Sequence, residues 1–248
     1  MHRCKNCGSV ISGIYCAHCG QKARVERISF FYLSQEILHF FTHIQHGFLF
    51  TTLKMLTAPG RTAINFIEGK RRNYQSPVSY FLIWTTIYIV FLYWLEKIYG
   101  QNSVIDYKEY FGPTDTTRFA VGHLSMVLAI IIPFQALYLY LLITKGKYNY
   151  FETMVATVYS LGTVIMLQFV FALFAFFIHL IIGSTAYLSI SDVLKVFYLA
   201  WFITDISRWF TLKYKSLRAA AFLALAFGTF TLWRLYGFAW AIHFFTGD

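Results

Sequence analysis

Residues 153–182 read TMVATVYSLGTVIMLQFVFALFAFFIHLII, a run without one Asp, Glu, Lys or Arg. About 20 apolar residues in a helix cross the hydrocarbon core of a bilayer. This run exceeds that length, so it must tilt or protrude. A helix also satisfies its own backbone hydrogen bonds, as lipid requires. Four further apolar runs accompany it, at 77–95, 119–143, 193–210 and 219–245. Pro77 opens the first at an early helical position, where its missing N–H is harmless. Tyr93 and Trp94 close that run with rings suited to an interface. Pro133 inside the second predicts a kink. The run at 193–210 is the weakest, because it carries Lys195, Asp205 and Arg208, and the last contains Arg234.

Composition agrees with a lipid solvent. Hydrophobic types make up 58 % of the 248 residues and charged types 13 %, against about 25 % charged in soluble domains. That is too few charges to cover a water-facing surface. The net charge is +10, and ten of the 21 Lys and Arg residues precede Ser76. Basic residues flanking spans attract anionic headgroups and set orientation, so a bilayer with anionic headgroups is the expected partner and nucleic acid is disfavoured. Between the runs, basic residues alternate. The segment 96–118 has Lys97, Lys108 and Arg118 against four acids, while 145–152 has Lys145 and Lys147. The segment 183–192 has none, 211–218 has Lys213, Lys215 and Arg218, and the tail after Phe245 has none. This pattern predicts five spans, the N-terminus inside and the C-terminus outside. No cleavable signal sequence is visible.

All four cysteines lie in the first 19 positions, as Cys4-Lys5-Asn6-Cys7-Gly8 and Cys16-Ala17-His18-Cys19-Gly20. Two thiolates two residues apart can grip one ion, and the following Gly permits the turn that aims backbone N–H groups at sulfur. Four thiolates complete a closed tetrahedral shell, so structural zinc on Cys4, Cys7, Cys16 and Cys19 is the expected cofactor. Val10, Ile11, Ile14 and Tyr15 are almost the only core candidates, and metal binding must then supply the folding free energy. A redox or disulfide pair is the competing reading, and no βαβ pattern supports it. An inside N-terminus is reducing and keeps the thiols available.

Residues 28–56 carry amphipathic helical periodicity, with Leu33, Ile37, Phe40, Phe41, Ile44 and Phe48 on one side. Glu36, His39, His43 and His46 form a separate stripe. It reads either as a second metal or proton-handling site or as a polar band at headgroup level. Thr57-Ala58-Pro59-Gly60 breaks the helix. A short interfacial helix follows, ending in Lys70-Arg71-Arg72, which would meet lipid phosphates. Within the bundle, Asp205 and Arg234 fall at similar depths. They are the expected intramembrane ion pair, with a substrate or proton path as the alternative. Gln135 and Gln168 are candidates for hydrogen bonds between helices. There is no GxSxG, P-loop or HExxH motif.

The expected fold is therefore an all-α integral membrane protein. Residues 1–24 form a zinc ribbon, 25–75 an amphipathic interfacial basic segment, and 76–248 a bundle of about five transmembrane helices. The chain resembles a bacterial family of integral membrane proteins carrying a domain of unknown function behind an N-terminal zinc ribbon. The likeness rests on Cys4/Cys7 with Gly8, Cys16/Cys19 with Gly20-Gln21-Lys22, and Pro59-Gly60. It continues through Phe66, Gly69-Lys70-Arg71, Tyr74, Pro77 and Tyr80. It implies a bacterial cytoplasmic (inner) membrane location and no particular activity. The functional expectation is a non-enzymatic membrane module whose cytoplasmic ribbon contacts a protein partner. The alternatives are a transporter, channel or lipid-handling protein using Asp205/Arg234, and a membrane metalloenzyme using Glu36/His39/His43/His46.

Overall fold

A computed structural model of the chain describes residues 2–39, 47–99, 124–182 and 188–232. It opens with a two-stranded antiparallel hairpin, β1 (His2–Arg3) and β2 (Val10–Ile11), with Arg3 facing Val10. Helices α1 (Phe30–His39), α2 (Phe48–Thr57), α3 (Pro59–Ile67) and α4 (Pro77–Tyr99) follow. Then come α5 (Leu124–Leu139), continued by a π-helical turn at Tyr140–Thr144, α6 (Tyr150–Ile182), α7 (Leu188–Ser207) and α8 (Lys215–Leu232).

Three helices are long and apolar enough to cross a membrane, at Pro77–Leu95, Tyr150–Ile178 and Lys215–Leu232. The apolar stretch of α5 and its π turn is described over Ala129–Thr144 and is shorter. Helix α7 is continuous, but Asp192, Lys195 and Asp205 interrupt its apolar sequence. The long apolar run thus forms one continuous helix, α6, and this is the axis of the molecule. Helices α4 and α5 pack along it, and Gly162 lets α4 come close. A Cβ there would lie 2.9 Å from Tyr80 Cδ1 and 3.1 Å from the Phe81 Cα. Small residues at such crossings allow close helix contact where hydrocarbon gives no hydrophobic drive. Gln135 reaches across as expected, donating from Nε2 to the Ala226 carbonyl at 3.3 Å.

The segment ahead of the first span departs from the expected single helix and interfacial helix. The helical register restarts at Phe48 after a turn at Gly47. Helix α2 buries Thr51, Thr52 and Met55, while Leu49, Leu53 and Leu56 are exposed, at 72 %, 63 % and 40 %. Its threonines are satisfied inside. Thr51 Oγ1 donates to the Gly47 carbonyl and accepts from the Gln75 N–H. Helix α3 is buried in the protein rather than lying on its surface. Pro59, Gly60, Thr62, Ala63, Ile64, Phe66 and Ile67 are all buried, and Ala63, Ile64, Phe66 and Ile67 pack in one core with Tyr80, Tyr159, Phe202 and Ile203. Apolar residues at three- and four-residue spacing mark one buried face, but here α6 and α7 cover most of the cylinder.

One long-range lock fastens Arg27, ahead of α1, to the bundle. At the start of α6, Asn149 Oδ1 accepts the Glu152 N–H at 2.7 Å, and Glu152 Oε2 accepts the Asn149 N–H at 2.8 Å. This is the reciprocal capping geometry that satisfies helix N-terminal donors. The same buried carboxylate accepts both Arg27 Nε and Nη2 at 2.9 Å. Glu152→Ala removes cap and bidentate partner together and is expected to cost about 2 kcal/mol. Arg27→Ala, whose side chain is 73 % exposed, should cost less than Glu152→Ala, because water screens that end of the pair. Thermal unfolding of the two variants in one detergent checks the order.

Candidate metal centre

The two CxxCG stretches fold alike. In the first, the Gly8 N–H donates to the Cys4 carbonyl at 2.9 Å and the Cys4 N–H to the Ser9 carbonyl at 2.8 Å. In the second, the Gly20 N–H donates to the Cys16 carbonyl and the Cys16 N–H to the Gln21 carbonyl, both at 2.8 Å. Gly8 and Gly20 take φ of 79° and 71°, a region that suits residues without a Cβ. The hairpin between the knuckles folds one onto the other. Cys4 Sγ then stands 3.6 Å from Cys19 Sγ, and Cys7 Sγ 3.6 Å from Cys16 Sγ. All four sulfurs lie within 4.8 Å of one another. Metal–thiolate bonds of about 2.3 Å in a tetrahedron give sulfur–sulfur edges of about 3.8 Å. The four cysteines are close enough to hold a metal ion, and they are the one such group among the described residues.

The thiols compete for negative charge. Donation from the Ser9 hydroxyl, helped by the Ser9 N–H, pulls the Cys7 thiol down to about 5. At Cys19 the Gln21 N–H favours the thiolate, but burial and the sulfurs of Cys4 and Cys7 outweigh it and push that thiol up to about 11. A divalent cation eases this conflict by holding all four sulfurs as thiolate ligands. Apart from the sulfurs, Ile11 is the one buried hydrophobic side chain among the ribbon's described residues, so little else holds it closed.

The ribbon is seated through Gln21, which is 6 % exposed. Its Nε2 donates to the Gly69 carbonyl at 2.9 Å, and its Oε1 accepts the N–H groups of Arg71 and Arg72 at 3.1 and 3.3 Å. Arg72 Nε donates to the Cys19 carbonyl at 3.1 Å, and Arg71 Nη2 to the Glu26 carbonyl at 3.0 Å. The Arg71 guanidinium also lies over the Tyr32 ring, 4.7 Å from its centroid. Arg71 and Arg72, expected to face lipid phosphates, thus hold the ribbon to the turn after α3. Lys70 Nζ instead donates to Asn65 Oδ1 at 3.2 Å.

Of the second stripe, Glu36 lies on α1 beside Tyr32 and Ser76. The side chain of His39, and residues His43 and His46, lie outside the described residues. Burial raises the Glu36 carboxyl above the ordinary carboxylate range, against the opposing hydrogen bonds of Tyr32 and Ser76. The folded state therefore binds this proton more tightly than the unfolded chain. Its contribution to stability is full at low pH and is lost as pH rises through the raised value. Glu36→Gln is expected to flatten the dependence of Tm on pH above the ordinary carboxylate range. An unchanged slope would show that Glu36 titrates normally.

Asp205 acts at a distance that the sequence reading missed. Its Oδ2 accepts the N–H groups of Gly60 and Arg61 at 2.9 and 3.2 Å, capping α3 from α7. Its Oδ1 lies 3.8 Å from Arg208 Nη1. Arg234 lies outside the described residues. A carboxylate at a helix N-terminus satisfies donors and opposes the helix dipole. The Pro59-Gly60 break was legible as a helix start, but nothing in it named the acceptor. The Asn149-x-x-Glu152 cap and Gln21 were also missed, although Asn followed three residues later by Glu is a readable N-terminus signature.

Residues 46–89 match the family described as Protein of unknown function (DUF3667). That stretch holds α2, α3, the Gly69–Arg72 turn and the first part of α4, which together form the ribbon's seat and the start of the first span. No curated protein and no solved structure matches the chain.

Proposed function

We propose that the chain is a five-span membrane protein with its N-terminus in the cytosol. Zinc sits on Cys4, Cys7, Cys16 and Cys19, and the ribbon is a rigid docking module for a protein partner. The basic segment ahead of Ser76 faces the anionic headgroups of a bacterial inner membrane. The observation that carries this reading is the lock through Gln21, Arg71 and Arg72. One side of a metal-braced ribbon is bonded to the bundle, while Val10, Ile14 and Tyr15 between the knuckles remain exposed, at 58 %, 72 % and 62 %. Exposed apolar side chains on a rigid element suit recognition. All-thiolate coordination favours zinc over harder ions.

The test is crosslinking in cells expressing the full chain, Cys4→Ser, or the double variant Ile14→Asp/Tyr15→Asp. Both variants should lose the same crosslinked partner, and only Cys4→Ser should lose bound zinc. Identical partner sets in all three would overturn the docking role. A reporter fused after Asp248 should be active outside the cytosol, and cytosolic activity would refute the odd number of spans.

A further inference from the structure

A cleft of about 1010 Å³ opens between the ribbon and the start of the first span. The ribbon contributes Lys22 and Arg24 to its walls, α1 contributes Tyr32 and Glu36, and the turn after α3 contributes Arg71 and Arg72. Cations outnumber carboxylates there, with Glu26 the second acid. The two arginines spend only part of their donor sets on the fold. Arg71 uses Nε and Nη2 on the Phe66 and Glu26 carbonyls, and Arg72 uses Nε on the Cys19 carbonyl. A guanidinium held in place by such bonds is preorganised for phosphate oxygens.

The cleft does not end in polar surface. Phe50 lines it and is 40 % exposed, and on α2 Phe50 continues into exposed Leu53 and Leu56. Lys54 Nζ sits over the Phe50 ring, 5.6 Å from its centroid. A cationic pocket therefore adjoins an outward apolar stripe at the beginning of a membrane-spanning helix. That combination matches an amphiphile with a phosphate head and hydrocarbon tails.

We propose that this cleft binds the phosphate headgroup of an anionic glycerophospholipid, with its acyl chains along Phe50, Leu53 and Leu56 of α2. The site rests on the membrane reading above and needs no protein partner. Because Lys22 and Arg24 belong to the ribbon, one wall of the cleft depends on the metal.

The experiment uses the full, metal-loaded chain in phosphatidylcholine nanodiscs doped with phosphatidylglycerol, with retained lipid read by native mass spectrometry. Lys22→Gln/Arg24→Gln is the main variant, because neither side chain takes part in the bonds that seat the ribbon. Wild type should retain phosphatidylglycerol in preference to phosphatidylcholine. The double variant should retain about tenfold less, with metal content unchanged. Should that variant lose metal, Leu53→Ser on α2 is read instead and should also lower phosphatidylglycerol retention. Equal retention of the two lipids, or wild-type retention in the variants, would overturn the proposal. So would binding of inorganic phosphate that depends on Lys22 and Arg24 while no lipid is retained, since the ligand would then be a free anion. None of these readouts moves with Ile14→Asp/Tyr15→Asp, which separates a failure here from a failure of the docking role.

Discussion

Replacing Cys16 with serine is expected to empty the metal site and unfold residues 2–24. Cys16 is 1 % exposed, at the centre of a ribbon whose only other buried hydrophobic residues are Cys4 and Ile11. A core that small cannot offset the backbone entropy of ordering such a segment. Structural zinc contributes on the order of 10–16 kcal/mol of apparent binding free energy at neutral pH, and in small ribbons that binding is the folding free energy. Metal content should fall from one ion per chain to none. Protease sites between Lys22 and Ser29 should open as Gln21 releases Gly69, Arg71 and Arg72. Helices α4 to α8 should keep their thermal transition, since their core is separate from the ribbon's. A variant that stays protease-resistant and metal-free would show that the ribbon folds on its seat alone.

Gly60→Ala is the second large effect, and it acts in the bundle rather than the ribbon. A Cβ on Gly60 would lie 2.3 Å from the Ile206 N and 2.5 Å from the Ile206 Cα. Those are backbone atoms of α7, so no side-chain rotation relieves the overlap. Helices α3 and α7 must separate, and Asp205 then loses the N–H groups it caps. Overpacking of this kind costs about 1–3 kcal/mol, and each charge-assisted hydrogen bond adds about 1.5–3 kcal/mol. A loss on the order of 4 kcal/mol or more is expected in thermal unfolding. Asp205→Asn keeps an acceptor but loses the charge, and should cost about 1–2 kcal/mol. Equal stability of Gly60→Ala and wild type would mean that the two helices are not in contact in the membrane.

The features readable from sequence were the local ones. Two CxxCG stretches carry their geometry within five residues each, and the metal site follows from spacing alone. Residues 153–182 announce a long helix by composition, and Pro77 marks where the first span starts. What composition hides is which partner a polar residue finds. Arg71 and Arg72 read as a cationic patch, but nothing in that reading shows that Gln21, fifty residues away, accepts their backbone N–H groups. Asp205 looks like a charge needing another charge, yet it takes the N–H groups of Gly60 and Arg61, donors with no side-chain signature. Helix α2 shows the converse. It buries Thr51, Thr52 and Met55 while Leu49, Leu53 and Leu56 face outward, a division that residue type alone does not announce.

The cap on α3 also sets an order of events at the ribosome. Gly60 and Asp205 are separated by 145 residues, which at roughly 5–20 residues per second takes about 7–30 s to synthesise. The cysteine ribbon emerges complete well before that and can take its ion at once, but the platform beneath it stays unfinished until α7 has been made. During that interval α3 has two uncapped amides and lacks the cover of α7, so a ribbon closed early would ride on an unassembled foundation.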